Sequence, residues 1–246
     1  MIKIQNLNFK RDGKEILKNI SLKLTPGKIT ALIGENGAGK TTLLKTIDGV
    51  FPPTSGEIIW DSLKLPGNEI EFKQKSALLF ENPFFYESLT GYEFIKLVSG
   101  LRKFNFTDER IQKFASLFNF KDYLDKPVSD LPKGIRQKMA ITSVLFQEPD
   151  LILLDEPVNG LDPVGVKILK EVLISEKNKG KTILVSTHIL EIAEKIADNI
   201  IVLHHGEVIK QGEIEKIKSE NNEKVLEDLF INLTGGEKYK ELLKLI

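Results

Sequence analysis

The feature that most constrains this chain is a glycine-rich loop between an apolar run and a helix-like segment. Residues 34–41 read Gly-Glu-Asn-Gly-Ala-Gly-Lys-Thr and match G-x-x-x-x-G-K-[ST] at every fixed position. The run Ile29–Ile33 before the loop is typical of a strand buried on both faces. The sequence therefore predicts a buried strand, a phosphate-binding loop and a helix from Lys40 to about Asp48.

The loop and the start of its helix are predicted to contact phosphate groups. Phosphate oxygens need several converging backbone N–H donors, and glycines let a loop curl around an anion without Cβ clashes. A helix N-terminus adds partial positive charge. Lys40 is placed to neutralise the β- and γ-phosphates, and the Thr41 hydroxyl to bind Mg²⁺. The predicted phosphate-binding residues are Gly34, Glu35, Asn36, Gly37, Ala38, Gly39, Lys40, Thr41 and Thr42.

A second apolar stretch ends in two acids. Residues 151–156 read Leu-Ile-Leu-Leu-Asp-Glu, and acids at the end of a buried strand need partners because an unpaired buried charge is costly. Asp155 suits a water-mediated contact to Mg²⁺, and Glu156 suits a base that orients or deprotonates an attacking water. Such a pair often only caps a turn, but beside a phosphate-binding loop it indicates a catalytic pair.

A third candidate is His188, which follows the apolar run 182–186. A lone histidine is more often structural, but ligands of open α/β sheets bind at the carboxyl ends of parallel strands. We therefore predict a functional His188. His204 and His205 are expected to lie in a solvated hairpin turn.

Composition excludes several other classes. Lys plus Arg and Asp plus Glu number 35 each, so there is no global basic field and we expect no nucleic-acid partner. The absence of cysteine excludes disulfides, thiolate catalysis and cysteine metal sites. The longest stretches without Asp, Glu, Lys or Arg, 139–147 and 182–190, have nine residues, whereas a membrane-spanning helix needs about 20 apolar residues. We expect a globular cytoplasmic protein.

The order of predicted elements divides the chain into an α/β core, a helical insertion and a tail. Turn signals at 11–14 and 25–28 separate alternating strands, and helical spacing dominates from about residue 90. We expect an α/β core with an N-terminal antiparallel β subdomain at 1–89 and 148–212, a helical subdomain at 90–147 and a charged helical tail at 213–246.

Together these motifs resemble the nucleotide-binding subunit of an ATP-binding cassette (ABC) transporter. The resemblance rests on Walker A at 34–41, Walker B at 151–156, the run 159–163 and Ser-Thr-His at 186–188, and it spans about 1–212. It implies a P-loop NTPase fold with a mixed sheet core, ATP and Mg²⁺ as ligands, and a head-to-tail dimer. It also implies that the helical block presents a groove to a transmembrane permease. The segment 226–236 resembles a tail common in stand-alone ATPase subunits of bacterial exporters.

The signature motif departs from the family pattern. Leu131, Pro132, Lys133, Gly134 and Ile135 stand where Leu-Ser-Gly-Gly-Gln is usual. By resemblance, Pro132, Lys133 and Gly134 would contact the ATP held by the other protomer, but Pro132 lacks the serine hydroxyl. Either Pro132 only starts the following helix, or the composite site is weakened.

Two further positions depart from the family. Glu81 stands where a glutamine of the Q-loop contacts Mg²⁺ or water, and a carboxylate oxygen can serve the same purpose. The aromatic that stacks on adenine corresponds to the first hairpin turn, where the candidates are Phe9 and Arg11, whose guanidinium is planar. The choice between ATP and GTP therefore stays open.

The function predicted from this resemblance is a cytoplasmic ATPase subunit, peripheral on the inner face of the cell membrane. It would dimerise on ATP, as a homodimer or with a different ATPase subunit, and drive a separate permease, more readily an exporter than an importer. One alternative is a soluble ABC-type ATPase that moves no solute, such as an assembly factor. Another is a weakly active subunit paired with a different ATPase. A third is a binding module whose ATPase is inactive, which Pro132 favours and the intact Glu156 and His188 oppose.

Overall fold

An antiparallel sheet forms the N-terminal part of the fold. The computed structural model describes residues 1–101, 107–221, 223 and 225–235. The sheet comprises β1 (Ile2–Arg11), β2 (Lys14–Leu24), β4 (Ser55–Trp60) and β5 (Leu63–Leu65), in the order β2-β1-β4-β5. Alternate residues such as Ile2, Ile4 and Leu7 are buried, because successive side chains of a strand point to opposite faces. This confirms the predicted antiparallel sheet.

A second, mixed sheet carries the predicted motifs. Its strands are β3 (Ile29–Ile33), β6 (Ser76–Leu79), β7 (Leu151–Asp155), β8 (Thr182–Thr187), β9 (Asn199–His204) and β10 (Glu207–Glu213), in the order β10-β9-β3-β8-β7-β6. β6, β7, β8, β3 and β9 pair in parallel, and β10 pairs antiparallel with β9. The carboxyl ends of β3, β7 and β8 therefore meet at one edge, as the sequence predicts.

Helices cover this sheet and form the block between β6 and β7. Those near the sheet are α1 (Lys40–Ile47), α2 (Glu69–Lys75), α6 (Pro163–Asn178) and α7 (Leu190–Ile196). The block contains α3 (Gly91–Leu101), α4 (Asp108–Leu117), α5 (Lys133–Phe146) and short 3-10 helices at Lys121–Tyr123 and Val128–Asp130. Residues 102–106 of the predicted helical subdomain lie outside the described residues.

Buried apolar side chains form three clusters that join these layers. One lies between the second sheet and the helical block and includes Met139 and Phe146 of α5. A second lies around α1, between the two sheets. The third lies under the tail helices α8 (Ile214–Glu220) and α9 (Leu226–Thr234) and includes Leu226 and Leu229. Ala38 of the loop before α1 belongs to the second cluster, so packing anchors the end of the loop next to the helix.

The tail is tied to the core by charge as well as by apolar contacts. Lys218 Nζ lies 2.5 Å from Glu194 Oε1 of α7, and the Leu226 N–H donates to Glu194 Oε2 at 3.3 Å. Burial alone would raise the pKa of Glu194, but the hydrogen bonds and the Lys218 charge hold it below its usual range. The predicted tail continues through residues 236–246, which lie outside the described residues.

Several elements differ from the sequence prediction. β5 and α2 were not predicted, because each is short and residues 63–75 are mostly polar; Phe72 supplies the buried apolar anchor. His204 ends β9 and is half-buried, so only His205 is a solvated turn residue. Among the described residues, no helix is long and apolar enough to span a membrane.

The β9–β10 turn supports both the loop before α1 and strand β2. The Gly206 N–H donates to Ala38 O at 3.0 Å, and Gly206 O accepts the Lys18 N–H at 2.8 Å. Gly206 has φ +80°, and a Cβ there would lie 2.3 Å from Ile16 O. Glycine is therefore required at this turn both for its backbone conformation and for the close approach.

We predict that Gly206→Ala destabilises the fold more than Gly180→Ala does. Gly180 has φ +85° but nothing within 4 Å of an added Cβ. Gly180→Ala thus measures the left-handed backbone penalty alone, about 1–2 kcal/mol, and Gly206→Ala adds the clash with Ile16. Denaturant unfolding of both variants provides the measurement. Equal losses would show that the turn yields freely and does not fix the loop.

Candidate functional site

A cleft of about 420 Å³ lies at the carboxyl edge of β3, β7 and β8. The loop after β3 forms one wall, and the residues that follow β7 and β8 form the other. The lining residues are Ile16, Glu35, Asn36, Gly37, Gly39, Lys40, Thr41, Thr42, Glu81, Glu156 and His188. Most predicted site residues are therefore gathered around one cleft.

The loop presents backbone N–H groups to the cleft at the start of α1. Gly39 is the N-cap residue, with φ 108°, and no side chain caps the helix. Because the first N–H groups of an α-helix have no intrahelical partner, those of Lys40, Thr41 and Thr42 are suited to an anion. Within the loop, Gly34 and Ala38 are buried, and neither lines the cleft.

Lys40 is buried and has its ammonium beside an acid. Its side chain is 7% exposed, and Nζ lies 3.7 Å from Glu156 Oε1. Nζ also donates to Gly34 O at 2.7 Å and to Glu35 O at 3.3 Å. The ammonium is thus held at the base of the loop, which is where a phosphate group would need a positive charge.

Glu156 is the most constrained residue of the site. It has φ +47°, a conformation rare for a residue with a side chain, and its side chain is 6% exposed. Oε1 contacts Lys40 and lies 3.0 Å from His188 Nδ1. Oε2 is buried and has no hydrogen-bond partner among the described residues. Buried polar atoms without a partner are uncommon in proteins, so Oε2 marks Glu156 as a residue under functional constraint.

His188 sits at the mouth of the cleft, with its side chain 47% exposed. It follows β8, and its contact with Glu156 joins the ends of two neighbouring strands. This ring can therefore touch both the buried carboxylate and a ligand that enters from solvent.

Asp155 lies one residue before Glu156 and is 1% exposed. Ser186 Oγ of the neighbouring strand donates to Asp155 Oδ1 at 2.5 Å. Thr41 and Glu81, the other two predicted metal ligands, line the cleft, and Glu81 is exposed. Hydroxyl and carboxylate oxygens are ligands that Mg²⁺ accepts, so the donor set suits that ion.

Neither predicted adenine-stacking residue lines the cleft. Phe9 is 9% exposed and stacks on Phe51, with ring centroids 5.3 Å apart and an interplanar angle of 12°. A base contact through Phe9 therefore does not fit this structure, because the ring is part of the core. Arg11 is exposed at the hairpin end, and Ile16 is the hairpin residue that reaches the cleft.

The signature residues lie apart from this cleft, at the start of α5. Pro132 is the N-cap residue and is exposed, and Lys133 is the first helical residue. Pro132 therefore stands immediately before the first helical residue, and its carbonyl oxygen accepts hydrogen bonds from the Ile135 and Arg136 N–H groups. A Cβ on Gly134 would lie 2.8 Å from Gly160 O, so the start of α5 packs closely on the segment after Glu156.

Side chains of α5 tie it to the same segment. Gln137 Nε2 donates to Pro157 O at 3.0 Å, and Lys138 Nζ lies 3.0 Å from Asp162 Oδ2. Asp162 caps α6 by accepting the Gly165 N–H at 2.5 Å. That hydrogen bond and Lys138 hold the pKa of Asp162 below its usual range. The signature region is thus mechanically connected to the strand end that carries Glu156.

Sequence reasoning missed Ile16, Ser186, Gln137 and Lys138 as site residues. Ser186 had a usable signal, because it lies at the end of a buried strand, two residues before His188, and the ends of neighbouring parallel strands lie together. The other three belong to an amphipathic strand or helix, where one polar or apolar residue does not stand out. Their positions depend on tertiary contacts.

Comparisons with known proteins agree with the geometry. The protein family described as ABC transporter matches residues 17–159. The chain is 35% identical over 238 residues to the lantibiotic transport ATP-binding protein SrtF of Streptococcus pyogenes, covering 97% of this chain and 99% of that protein.

Solved structures of similar proteins have the same fold. A structure described as the ATP binding subunit of an ABC transporter has a TM-score of 0.87 and 29% identity, covering 95% of this chain and 99% of that one. A dimeric ATP-binding cassette in a post-hydrolysis state, bound to ADP and Pi, has a TM-score of 0.76 and 25% identity, covering 87% of this chain and 99% of that one.

We predict that Lys40→Ala abolishes measurable nucleotide binding while the fold persists. The substitution removes the buried ammonium at the base of the loop. The matched control is Lys45→Ala, which removes the same charge from the same helix, where Lys45 packs over Phe51 and Phe80. Titration calorimetry with ATP is the measurement. Unchanged affinity in Lys40→Ala would rule out the loop as the phosphate site.

Proposed function

Because this chain belongs to the ABC transporter family and is an ATP-hydrolysing subunit of that family, we propose that its cleft binds the phosphates of ATP and that it powers a separate transmembrane permease. The observation that carries the site assignment is the convergence of Lys40, Glu156 and His188 from three neighbouring strands on one cleft. Each supplies a different requirement of phosphoryl transfer: charge neutralisation, a base and orientation of that base.

The phosphate chain of ATP would be held by the loop 34–39 and the first turn of α1. Backbone N–H groups of Lys40, Thr41 and Thr42 donate to phosphate oxygens, and Lys40 Nζ neutralises charge between the β- and γ-phosphates. Lys40 is already held in place by Gly34 O and Glu35 O. Because the Lys40 ammonium is already held at the base of the loop, it needs little rearrangement to contact the phosphates.

Hydrolysis transfers the γ-phosphoryl group to water. The water oxygen bonds to the γ-phosphorus as the bond to the β-phosphate oxygen breaks, and Glu156 accepts the water proton. The contacts with Lys40 and His188 both use Oε1, so Oε2 has no hydrogen-bond partner among the described residues. His188, in contact with Oε1, keeps the carboxylate oriented and faces the γ-phosphate from the mouth of the cleft.

Thr41, Asp155 and Glu81 would hold Mg²⁺. The fit rests on a hydroxyl and a carboxylate that line the cleft and on the buried Asp155 beneath it. Bound there, Mg²⁺ would neutralise negative charge on the phosphates. The adenine base would rest against Ile16, the hairpin residue that lines the cleft, since Phe9 belongs to the core. Arg11 would stack on the base only if its exposed side chain turned toward the cleft.

We also propose an ATP-dependent dimer in which Pro132, Lys133 and Gly134 face the ATP of the partner protomer. They are the accessible start of α5, joined to the Glu156 segment through Gln137 and Lys138. The dimeric relative bound to ADP and Pi supports the formation of a dimer. Pro132 supplies no hydroxyl, so the ATP-closed state of a homodimer would be weak. A different ATPase subunit or the permease would then stabilise it.

The permease would dock on the helical block, proposed at 90–147, and on the adjoining aromatic run. Phe84 is 78% exposed and Tyr86 55% exposed, whereas Phe85 packs on Phe94 with ring centroids 4.8 Å apart. Exposed aromatic groups of this kind mark interaction surfaces. Docking there would place this chain at the inner face of the membrane, and the lantibiotic transport relative favours an exporter.

The alternative is a soluble ABC-type ATPase that assembles other components and moves no solute. The exposed Phe84 and Tyr86 fit either kind of partner. Co-purification from membranes separates the two: a multi-span membrane protein supports the transporter subunit, and exclusively soluble partners support the alternative.

We predict that Glu156→Gln lowers hydrolysis at least about a hundredfold, the usual scale for a positioned base. ATP binding persists, because the loop and Lys40 are intact, and ATP then accumulates a dimer. The control is Glu71→Gln, which changes an exposed carboxylate of α2. Phosphate release and gel filtration with Mg-ATP are the measurements. Undiminished hydrolysis by a monomer would mean that Glu156 is not the base.

We predict that Pro132→Ser strengthens ATP-driven dimerisation and raises the ATPase rate of the isolated protein. Serine restores the missing hydroxyl, and it is also a good N-cap residue for α5, so the helix is preserved. A hydrogen bond to a charged group contributes about 1.5–3 kcal/mol. Sedimentation velocity with ATP, comparing Glu156→Gln with and without Pro132→Ser, gives the dimer affinity. Phosphate release by Pro132→Ser alone gives the ATPase rate. No change in either quantity would leave Pro132 as a helix-starting residue in an ordinary homodimer.

A further inference from the structure

Ser186 connects the two acids of the cleft, and it lies where β7 and β8 end together. The residues Asp155 and Ser186 are register partners in this parallel pair. Ser186 is 0% exposed. Its hydroxyl lies 2.5 Å from Asp155 Oδ1 and 3.0 Å from the backbone nitrogen of Glu156.

The chemistry of the three groups fixes the direction of both hydrogen bonds. A backbone N–H can only donate, so Ser186 Oγ accepts from Glu156. An ionised carboxylate can only accept, so the one hydroxyl proton goes to Asp155. Because the site is buried, no solvent competes for either bond.

The two hydrogen bonds of Ser186 fix the positions of both acidic residues. One holds the Asp155 carboxylate, and the other holds the Glu156 backbone at φ +47°. The Glu156 N–H is also within 3.2 Å of Ser186 O, so one residue secures this amide twice. Such a backbone conformation persists only where its surroundings hold it.

We propose that Ser186 is a positioning residue for ATP hydrolysis, acting through Asp155 toward the divalent cation and through the Glu156 backbone toward the base. Its hydroxyl keeps the two carboxylates in fixed positions relative to the cleft. The inference rests on the roles proposed above for Asp155 and Glu156. Ser186 itself contacts neither ATP nor water in the reaction.

The test is Ser186→Ala, with Ser143→Ala as the matched control. Ser143 is also a buried serine, 4% exposed, and its hydroxyl donates only within α5, to Met139 O at 2.9 Å. We expect Ser186→Ala to lower kcat at least about tenfold, as for loss of a hydrogen bond to a charged group. We expect Ser143→Ala to have the wild-type kcat when the rate is expressed per folded molecule.

A binding measurement separates positioning from a structural role. Calorimetry with ADP in EDTA should give the same affinity for Ser186→Ala and wild type, because the phosphate loop is untouched. Mg²⁺ should increase the affinity for ADP less in Ser186→Ala than in the wild type. In a separate assay, the Mg²⁺ concentration that gives half-maximal hydrolysis should be severalfold higher for Ser186→Ala. A loss of kcat that only tracks the unfolded fraction, with unchanged Mg²⁺ dependence, overturns the proposal.

A second pair of variants applies if Ser186→Ala does not fold. Ser186→Thr and Ser186→Val add the same bulk and differ in the hydroxyl, so the proposal requires threonine to exceed valine in kcat at least about tenfold. Equal rates overturn it. Failure of the proposed function is distinguishable, because it shows as full activity in Glu156→Gln, whatever Ser186 does.

Discussion

The burial of the Glu156 carboxylate beside Lys40 is the constraint on which the rest of the site depends. Both side chains are less than a tenth exposed, and their charged atoms lie 3.7 Å apart. Removing one partner of a buried ion pair is costly, about 3–5 kcal/mol, because the other charge is left uncompensated. The positions of Lys40 and Glu156 are therefore coupled. Each buried charge is stable only when the loop that carries Lys40 and the strand end that carries Glu156 hold the two groups together.

The fold meets this requirement through parallel pairing of adjacent strands. β3, β7 and β8 end at one edge, which brings together Lys40, Glu156 and His188 although they are far apart in sequence. The contacts of Gln137 with Pro157 and of Lys138 with Asp162 extend the same rigid unit to the start of α5. In the proposed dimer, closure at the signature region would be transmitted to Glu156 through these contacts.

Much of the site could be predicted from sequence because its chemistry is concentrated in short runs. The spacing of the loop, the acids at 155–156 and His188 after an apolar strand each carry a local signal. Phe9 and Ile16 show the limit: both are apolar residues of one hairpin, and only packing decides that Phe9 stacks on Phe51 while Ile16 reaches the cleft. Likewise, α2 and the neighbouring β5 are held by the buried Phe72, which packs in the apolar core. The short, mostly polar sequence of this segment does not indicate that packing.

A crystal structure with Mg²⁺ and a non-hydrolysable ATP analogue would show directly whether the cleft holds the phosphates of the nucleotide. We expect the β- and γ-phosphates against the loop 34–39, Lys40 Nζ at hydrogen-bond distance from them, and a water between the γ-phosphate and Glu156. A nucleotide bound away from this loop, or a Glu156 carboxylate turned out of the cleft, would contradict this expectation.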